Sequence, residues 1–450
     1  MPRRAGLDER PRFPFNSAYI LSHTCTAALL FLATAERNFE AQVGEVFHEA
    51  FDHAAQGAPQ LCFKNQVEYS KEIKLRNGMW ESEGLYLDGD AFYAALIDEI
   101  ESANCSVDME VYTFEAGVLA GRLCESFQRA HLRGVRVRLI FDHWGSAGID
   151  SGLHQRLVEV GVKIRIFRGL PWKLRSLEPG EFRRSVGAWV RQILTRIRTL
   201  NRGFHRKVTI IDGTSAWVSS LNVSDVHLRE VWGESAWADA GVRVSGPEVR
   251  VLSDAFKRVF GEWVPADRKA IPVLVALNDS RYLRGRMNRR FRERIEDANT
   301  RVWIQTPYFL PPRRLLRALC RSAKRGIDVR ILVPVENDYR FIRWMSLGLM
   351  DVLLRSGVRV MEYHARFSHK KVLIVDGAMF LGSVNFNYRS FLHDLEVEVA
   401  VTHPLSKAEL EASFHRDEVD SHELTPARLQ DLPLWLRIVS RLLFFFRYWC

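Results

Sequence analysis

Apolar positions fall into two kinds of stretch, and their order repeats. Ala91–Ile97 has helical spacing and is followed by the short Val/Met run Val107–Tyr112. A second helical stretch then leads to Val135–Asp142, which opens behind Arg133-Gly134. The same succession returns later: Phe291–Ile295, then Val302–Phe309, then a helical stretch leading to Ile327–Val333 behind Arg325-Gly326. Short Val/Ile-rich runs between helices of ordinary length predict an α/β sheet with strands buried on both faces. Repetition of the whole succession predicts two similar lobes.

Each half closes on one polar pattern set into an apolar strand. His205-Arg206-Lys207 leads through Val208–Ile211 to Asp212-Gly213, and His369-Lys370-Lys371 leads through Val372–Val375 to Asp376-Gly377. Both read HxKxxxxD. Both are followed by a small-residue loop ending in asparagine, Ser219–Asn222 and Gly382–Asn385. Between the Arg-Gly pair and the histidine the first half carries 28 more residues than the second. In an extended strand, residues two apart share a face, so His205 joins Lys207 and His369 joins Lys371. Asp-Gly is a turn dipeptide, so Asp212 and Asp376, although counted with the catalytic set, are read as ending the strand rather than as bases.

Two imidazoles and two ammonium groups facing one another suit a phosphodiester. The lysines match its non-bridging oxygens. One neutral imidazole attacks phosphorus and forms a phosphohistidine. The other gives a proton to the leaving alkoxide and takes one from the acceptor. No metal or other cofactor is required by this scheme. Asn222, Asn385 and Ser383 are candidate phosphate contacts. The second ring nitrogen of each histidine calls for an acceptor. Asp239 and Glu396 are the candidates, each at the head of a strand after a motif, with Asp394 as rival to Glu396. His227 and the remaining histidines lack a repeated partner and read as ordinary.

Composition narrows the partners. A chain of 450 residues with 47% apolar content is long enough for two cores and argues against disorder. The net charge of +10 favours an anionic partner. The six cysteines show no CxxC spacing and read as scattered thiols rather than a disulfide frame or zinc site. Residues 1–80 have no counterpart in the second half and read as an extension, poorly structured or membrane-associated. The surplus, 172–203, holds an apolar stripe at helical spacing among many arginines, which suits an anionic bilayer surface. The tail, 431–450, is rich in Trp and Phe, contains Arg437, Arg441 and Arg447, and reads as an amphipathic anchor.

The paired motifs, with Gly382-Ser383-Val384-Asn385, Arg389-Ser390 and Thr306–Pro311, resemble the phospholipase D superfamily, and within it the bacterial cardiolipin synthases of the shorter, membrane-surface type. The resemblance spans roughly residues 80–430. It implies two tandem α/β sandwich lobes, 81–265 and 266–430, related by a pseudo-two-fold axis. It also implies phosphatidyl transfer with phosphatidylglycerol as acceptor and phosphatidylglycerol or phosphatidylethanolamine as donor. His205 takes the nucleophile's role and His369 that of general acid and base. The expected location is peripheral, on the cytoplasmic face of the cell membrane. Lipid hydrolysis by a phospholipase D uses the same residues and stays open. A nuclease of the superfamily is the other alternative, and the hydrophobic tail argues against a nucleic-acid partner. Ser219-Ser220 departs from the glycine expected before the first asparagine loop.

Overall fold

The computed structural model describes residues 78–146, 151–167, 202–264, 272–336 and 340–443. Residues 172–201 of the basic surplus segment therefore fall outside the described residues, as does nearly all of the N-terminal extension.

Strand order shows the duplication directly. The first lobe has β1 (Ser82–Tyr86), β2 (Ser106–Val111), β3 (Arg136–Asp142), β4 (Lys163–Phe167), β5 (Val208–Ile211), β6 (Ser215–Ser219) and β7 (Gly241–Ser245). Across its sheet the order is β1-β7-β6-β5-β2-β3-β4. The second lobe has β8 (Val275–Leu277), β9 (Arg301–Gln305), β10 (Asp328–Pro334), β11 (Arg359–Tyr363), β12 (Val372–Val375), β13 (Ala378–Gly382), β14 (Val397–Val401) and β15 (Ser421–Glu423). Its order is β8-β14-β13-β12-β9-β10-β11, with β15 added at the edge. In each lobe three strands run parallel (β2, β3, β4 and β9, β10, β11), and the motif strand pairs antiparallel to the first of them.

The apolar runs are continuous because both faces of each sheet are covered. Along β5 and β12, Val208, Ile210, Val372 and Ile374 enter one shared cluster between the sheets. Their neighbours alternate outward: Ile211 packs in the first lobe's outer cluster, and Leu373 and Val375 in the second's. Each fully buried aliphatic side chain in the middle layer contributes about 1.5–3 kcal/mol. That layer presses the two motif strands face to face. The sheets-and-helices architecture is the one expected from the sequence.

Three details depart from expectation. Cys105 is disulfide-bonded, whereas Cys124 and Cys320 are free, so the six cysteines are not all scattered thiols. The start of the tail is a helix, Leu434–Leu443, that packs on the helix Arg340–Leu354, with Trp435 edge-on to Trp344 at 6.1 Å. Trp435 and Leu442, seven residues apart and so on one face, remain 57% and 58% exposed. The tail is thus partly docked on the protein, because its other face finds an apolar helix to cover. Finally, Thr306–Phe309 is not strand, since β9 ends at Gln305. Among the described residues no helix is long and apolar enough to cross a membrane.

Candidate active site

The two motifs are laced together by backbone pairing across the lobes. Phe204 bridges Leu395, and Ala238 bridges Ser368. His205 N–H donates to the Leu395 carbonyl at 3.0 Å, and His369 N–H donates to the Ala238 carbonyl at 2.7 Å. The histidine of each lobe therefore lies on the segment just before the other lobe's last motif-face strand. These cross-lobe contacts lie just ahead of β5 and β12, whereas the Lys207 carbonyl already accepts from Ser219 of its own lobe.

Each imidazole is oriented by a carboxylate of the other lobe. His205 Nδ1 lies 3.1 Å from Glu396 and 3.0 Å from the Ser383 carbonyl. His369 Nδ1 lies 2.9 Å from Asp239 Oδ1. All these neighbours are acceptors, so Nδ1 carries the proton and the lone pair is on Nε2 in both rings. Asp239 and Glu396, both named from the sequence, are the partners. Their crossing between lobes is not written in chain order. Asp394, the rival, instead pairs with Arg389 at 2.8 Å and accepts the Gly203 N–H at 2.8 Å.

Lys207 and Lys371 match each other. Each ammonium donates to the backbone carbonyl of its own histidine at 2.8 Å. Lys207 is 2% and Lys371 3% exposed. Burial pushes Lys207 down to about 8. Burial also lowers both histidines: His205 with help from Lys207 and Lys371, and His369, well below its ordinary value, with help from Lys371. Glu396 and Asp239 oppose these shifts. The side chain of His205 is 12% exposed and that of His369 5%. Tyr112 stands beside His205, with ring centroids 5.2 Å apart, whereas Trp237 (5.3 Å) and Phe367 (6.0 Å) flank His369.

The middle residue of each motif points elsewhere. Arg206 is buried against Glu110 and Asp279, and Lys370 against Asp417. Glu110 and Asp417 anchor the motifs in their own lobes, while Asp279 ties Arg206 to the second lobe.

Asp212 and Asp376 stand at the ends of the motif strands. Four strand residues stand between each and its lysine, five steps or about 17 Å of chain. Asp212 accepts the N–H groups of Asn104, Cys105 and Ser106. Asp376 accepts those of Asn299, Thr300 and Arg301. Both adopt positive φ, 53° and 51°, which these bonds sustain.

Of the expected phosphate contacts, Asn222 has its side-chain oxygen within 3.3 Å of the Thr113 N–H, which makes its amide nitrogen the outward end. Asn385 has a buried side-chain oxygen with no hydrogen-bond partner among the described residues. The Ser383 hydroxyl donates to Glu396 and braces that carboxylate. Ser220 does the same for Asp239 at 2.7 Å. Ser219 fits where a glycine was expected because its cross-strand partner is Gly241; in the second lobe the glycine is Gly382, opposite Glu398.

Two residues given no role at the site from the sequence stand in it: His227, which reads as ordinary there, and Ser390, which only marks the resemblance. His227 Nδ1 lies 2.7 Å from Asp239 Oδ2, and Ser390 Oγ donates to Glu396 Oε1 at 2.5 Å. They stand five residues beyond Asn222 and Asn385 respectively, an equal offset that would have found them.

Comparison with known proteins identifies the chain's relatives. The family model "Cardiolipin synthase, PLD-like domain" matches residues 96–259 and 291–418, one segment per lobe. The major cardiolipin synthase ClsA of Bacillus subtilis (strain 168) is 27% identical over 79% of this chain and 73% of its own. Cardiolipin synthase A of Serratia proteamaculans (strain 568) is 26% identical over 89% and 81%. In fold, the chain is similar to a phosphatidylserine synthase structure from Haemophilus influenzae Rd KW20, with a TM-score of 0.55 and 15% identity over 81% of this chain and 92% of that one. With a match covering most of both lobes, the chain belongs to the phospholipase D-like family of cardiolipin synthases.

Proposed function

We propose that this chain makes cardiolipin by moving a phosphatidyl group onto phosphatidylglycerol through a covalent phosphohistidine on His205. His205 Nε2 attacks the donor's phosphorus, and the bond from phosphorus to the headgroup oxygen breaks. His369 gives its proton to that oxygen. The acceptor hydroxyl then enters, His369 takes its proton, and the new phosphorus–oxygen bond displaces His205.

The observation that carries this reading is the crossed pair of orienting contacts, His205 to Glu396 and His369 to Asp239. Each fixes Nε2 as the reactive atom, and neither half-site is complete without the other lobe. Burial and the lysines keep His205 neutral at neutral pH, as a nucleophile requires. His369 gains its proton when the anionic phosphodiester arrives, because that charge offsets Lys371. Lys207 and Lys371 then face the non-bridging oxygens, with Asn222 and Asn385 beside them.

The donor is phosphatidylglycerol or phosphatidylethanolamine. The enzyme works at an anionic membrane surface on the cytoplasmic side, with the exposed face of Trp435 and Leu442 among its contacts. Incubating purified protein with phosphatidylglycerol vesicles tests the reading. Cardiolipin and glycerol are the expected products. Phosphatidic acid alone would make the chain a hydrolase.

A further inference from the structure

His227 sits outside the duplicated motifs yet inside the half-site. It ends the turn Asp225–His227 and is 1% exposed. The Asn222 N–H donates to its Nε2 at 3.1 Å, and its Nδ1 is 2.7 Å from Asp239 Oδ2. A donor aimed at Nε2 occupies that lone pair, so the ring proton is on Nδ1 and points at the carboxylate. The second carboxylate oxygen, Oδ1, receives His369 Nδ1 at 2.9 Å and the Ser220 hydroxyl at 2.7 Å. Asp239 thus lies between two imidazoles, one on each oxygen.

The second lobe performs the same relay with a hydroxyl. The Asn385 N–H donates to Ser390 Oγ at 3.2 Å, and Ser390 Oγ donates to Glu396 Oε1 at 2.5 Å. A hydroxyl turns about its bond and exchanges partners readily. A ring engaged at both nitrogens does not.

We propose that His227 is a positioning residue for His369: it holds one oxygen of Asp239 so that the other faces His369, and it ties the Asn222 loop to that pair. The functional part of this rests on the acid–base role given to His369 above. His369 is faced by Asp239 and Trp237 from the segment before β7, by His227 from its turn, and by Phe367 and Lys371 from its own segment. Lys207 acts on the same carboxylate from the first motif. Donation from His227 draws charge off Asp239, so the carboxylate supports a proton on His369 less strongly than an unshared one does. Removing His227 therefore raises the pH at which His369 titrates and loosens its ring.

The test compares His227→Ala and His227→Asn in the full-length protein, with thermal unfolding to confirm that each folds. Asparagine returns an N–H near the place of Nδ1. The His369 ring is titrated by ¹⁵N NMR, its signal assigned by loss in His369→Gln. The pH dependence of kcat and KM is measured on phosphatidylglycerol vesicles. In His227→Ala the His369 titration moves up by about one pH unit. Transfer falls about tenfold or more in kcat, with little change in KM. His227→Asn brings both back toward the native values. An unmoved titration in His227→Ala overturns the proposal, and so does an equal defect in both variants. The titration needs no substrate. A protein whose His369 shifts as expected but makes no cardiolipin would refute the transfer reading and leave the positioning role intact.

Discussion

Set side by side, the two half-sites share a backbone and differ in what surrounds each ring. Asn222 and Asn385, Ser220 and Ser383, Lys207 and Lys371 occupy matching places. The group bracing the carboxylate is His227 in one lobe and Ser390 in the other. Tyr112 stands beside the ring of His205, while Trp237 and Phe367 flank His369. The lesson is that duplication supplies a symmetric set of contacts, and unlike neighbours then give two identical side chains different proton affinities and so different tasks.

The largest expected effect is a crossed one. Glu396→Gln, in the second lobe, acts on His205 of the first, and Asp239→Asn acts on His369. Each lowers kcat by about a hundredfold with KM little changed. The comparison fails if Glu396→Gln alters the titration of His369 and leaves His205 as it was.

Next come the strand-ending aspartates, where the lobes are expected to behave alike. Asp212→Ala and Asp376→Ala each cost about 1–3 kcal/mol of stability, because three backbone donors lose their acceptor. Thermal unfolding reads this, while kcat per folded molecule stays near native. Although partial burial works the other way, the Thr300 hydroxyl and the amides of 299–301 hold the Asp376 carboxyl well below the usual range. Its contribution is therefore present above the ordinary carboxylate value and is lost as pH falls through the depressed one. The deficit of Asp376→Asn should vanish in strong acid.

A third prediction sharpens the asymmetry at high pH. Burial brings Lys207 to about 8, so its charge is present below that value and is lost above it. The profile of kcat/KM falls on the alkaline side of about pH 8, and Lys207→Arg removes that limb. A limb unmoved in Lys207→Arg would assign it to another group.

The smallest effect concerns the tail. Replacing Trp435 and Leu442 together by serine weakens binding to anionic vesicles several-fold, by about the burial value of two partly inserted side chains. Sedimentation with vesicles measures it, and unchanged binding would confine the helix to packing on Arg340–Leu354.

Much of this was legible in the sequence. The duplicated helix-strand order, the motifs and both orienting carboxylates all appear as residues at repeated places. What was hidden has a physical reason in each case. The crossing of Asp239 and Glu396 depends on the lobes meeting across the middle apolar layer, which no local pattern encodes. The equivalence of His227 and Ser390 was masked because unlike side chains fill the same hydrogen-bonding place. The docking of Leu434–Leu443 was the lesser of two readings of the tail, because an amphipathic stripe fits a protein face as well as a bilayer. The bond from Ser383 to Glu396 was hidden because a small polar residue beside an asparagine shows no partner in sequence.

The central claim is a covalent bond from phosphorus to the ring of His205, made with the help of a ring from the other lobe. Brief incubation with ³²P-labelled phosphatidylglycerol, alkaline quench and peptide mapping tests it. The label should reside on the peptide carrying His205, form more slowly in His369→Ala, which cannot protonate the leaving headgroup, and be absent from His205→Ala. Label on the His369 peptide, or cardiolipin formed by His205→Ala at the native rate, would contradict the account.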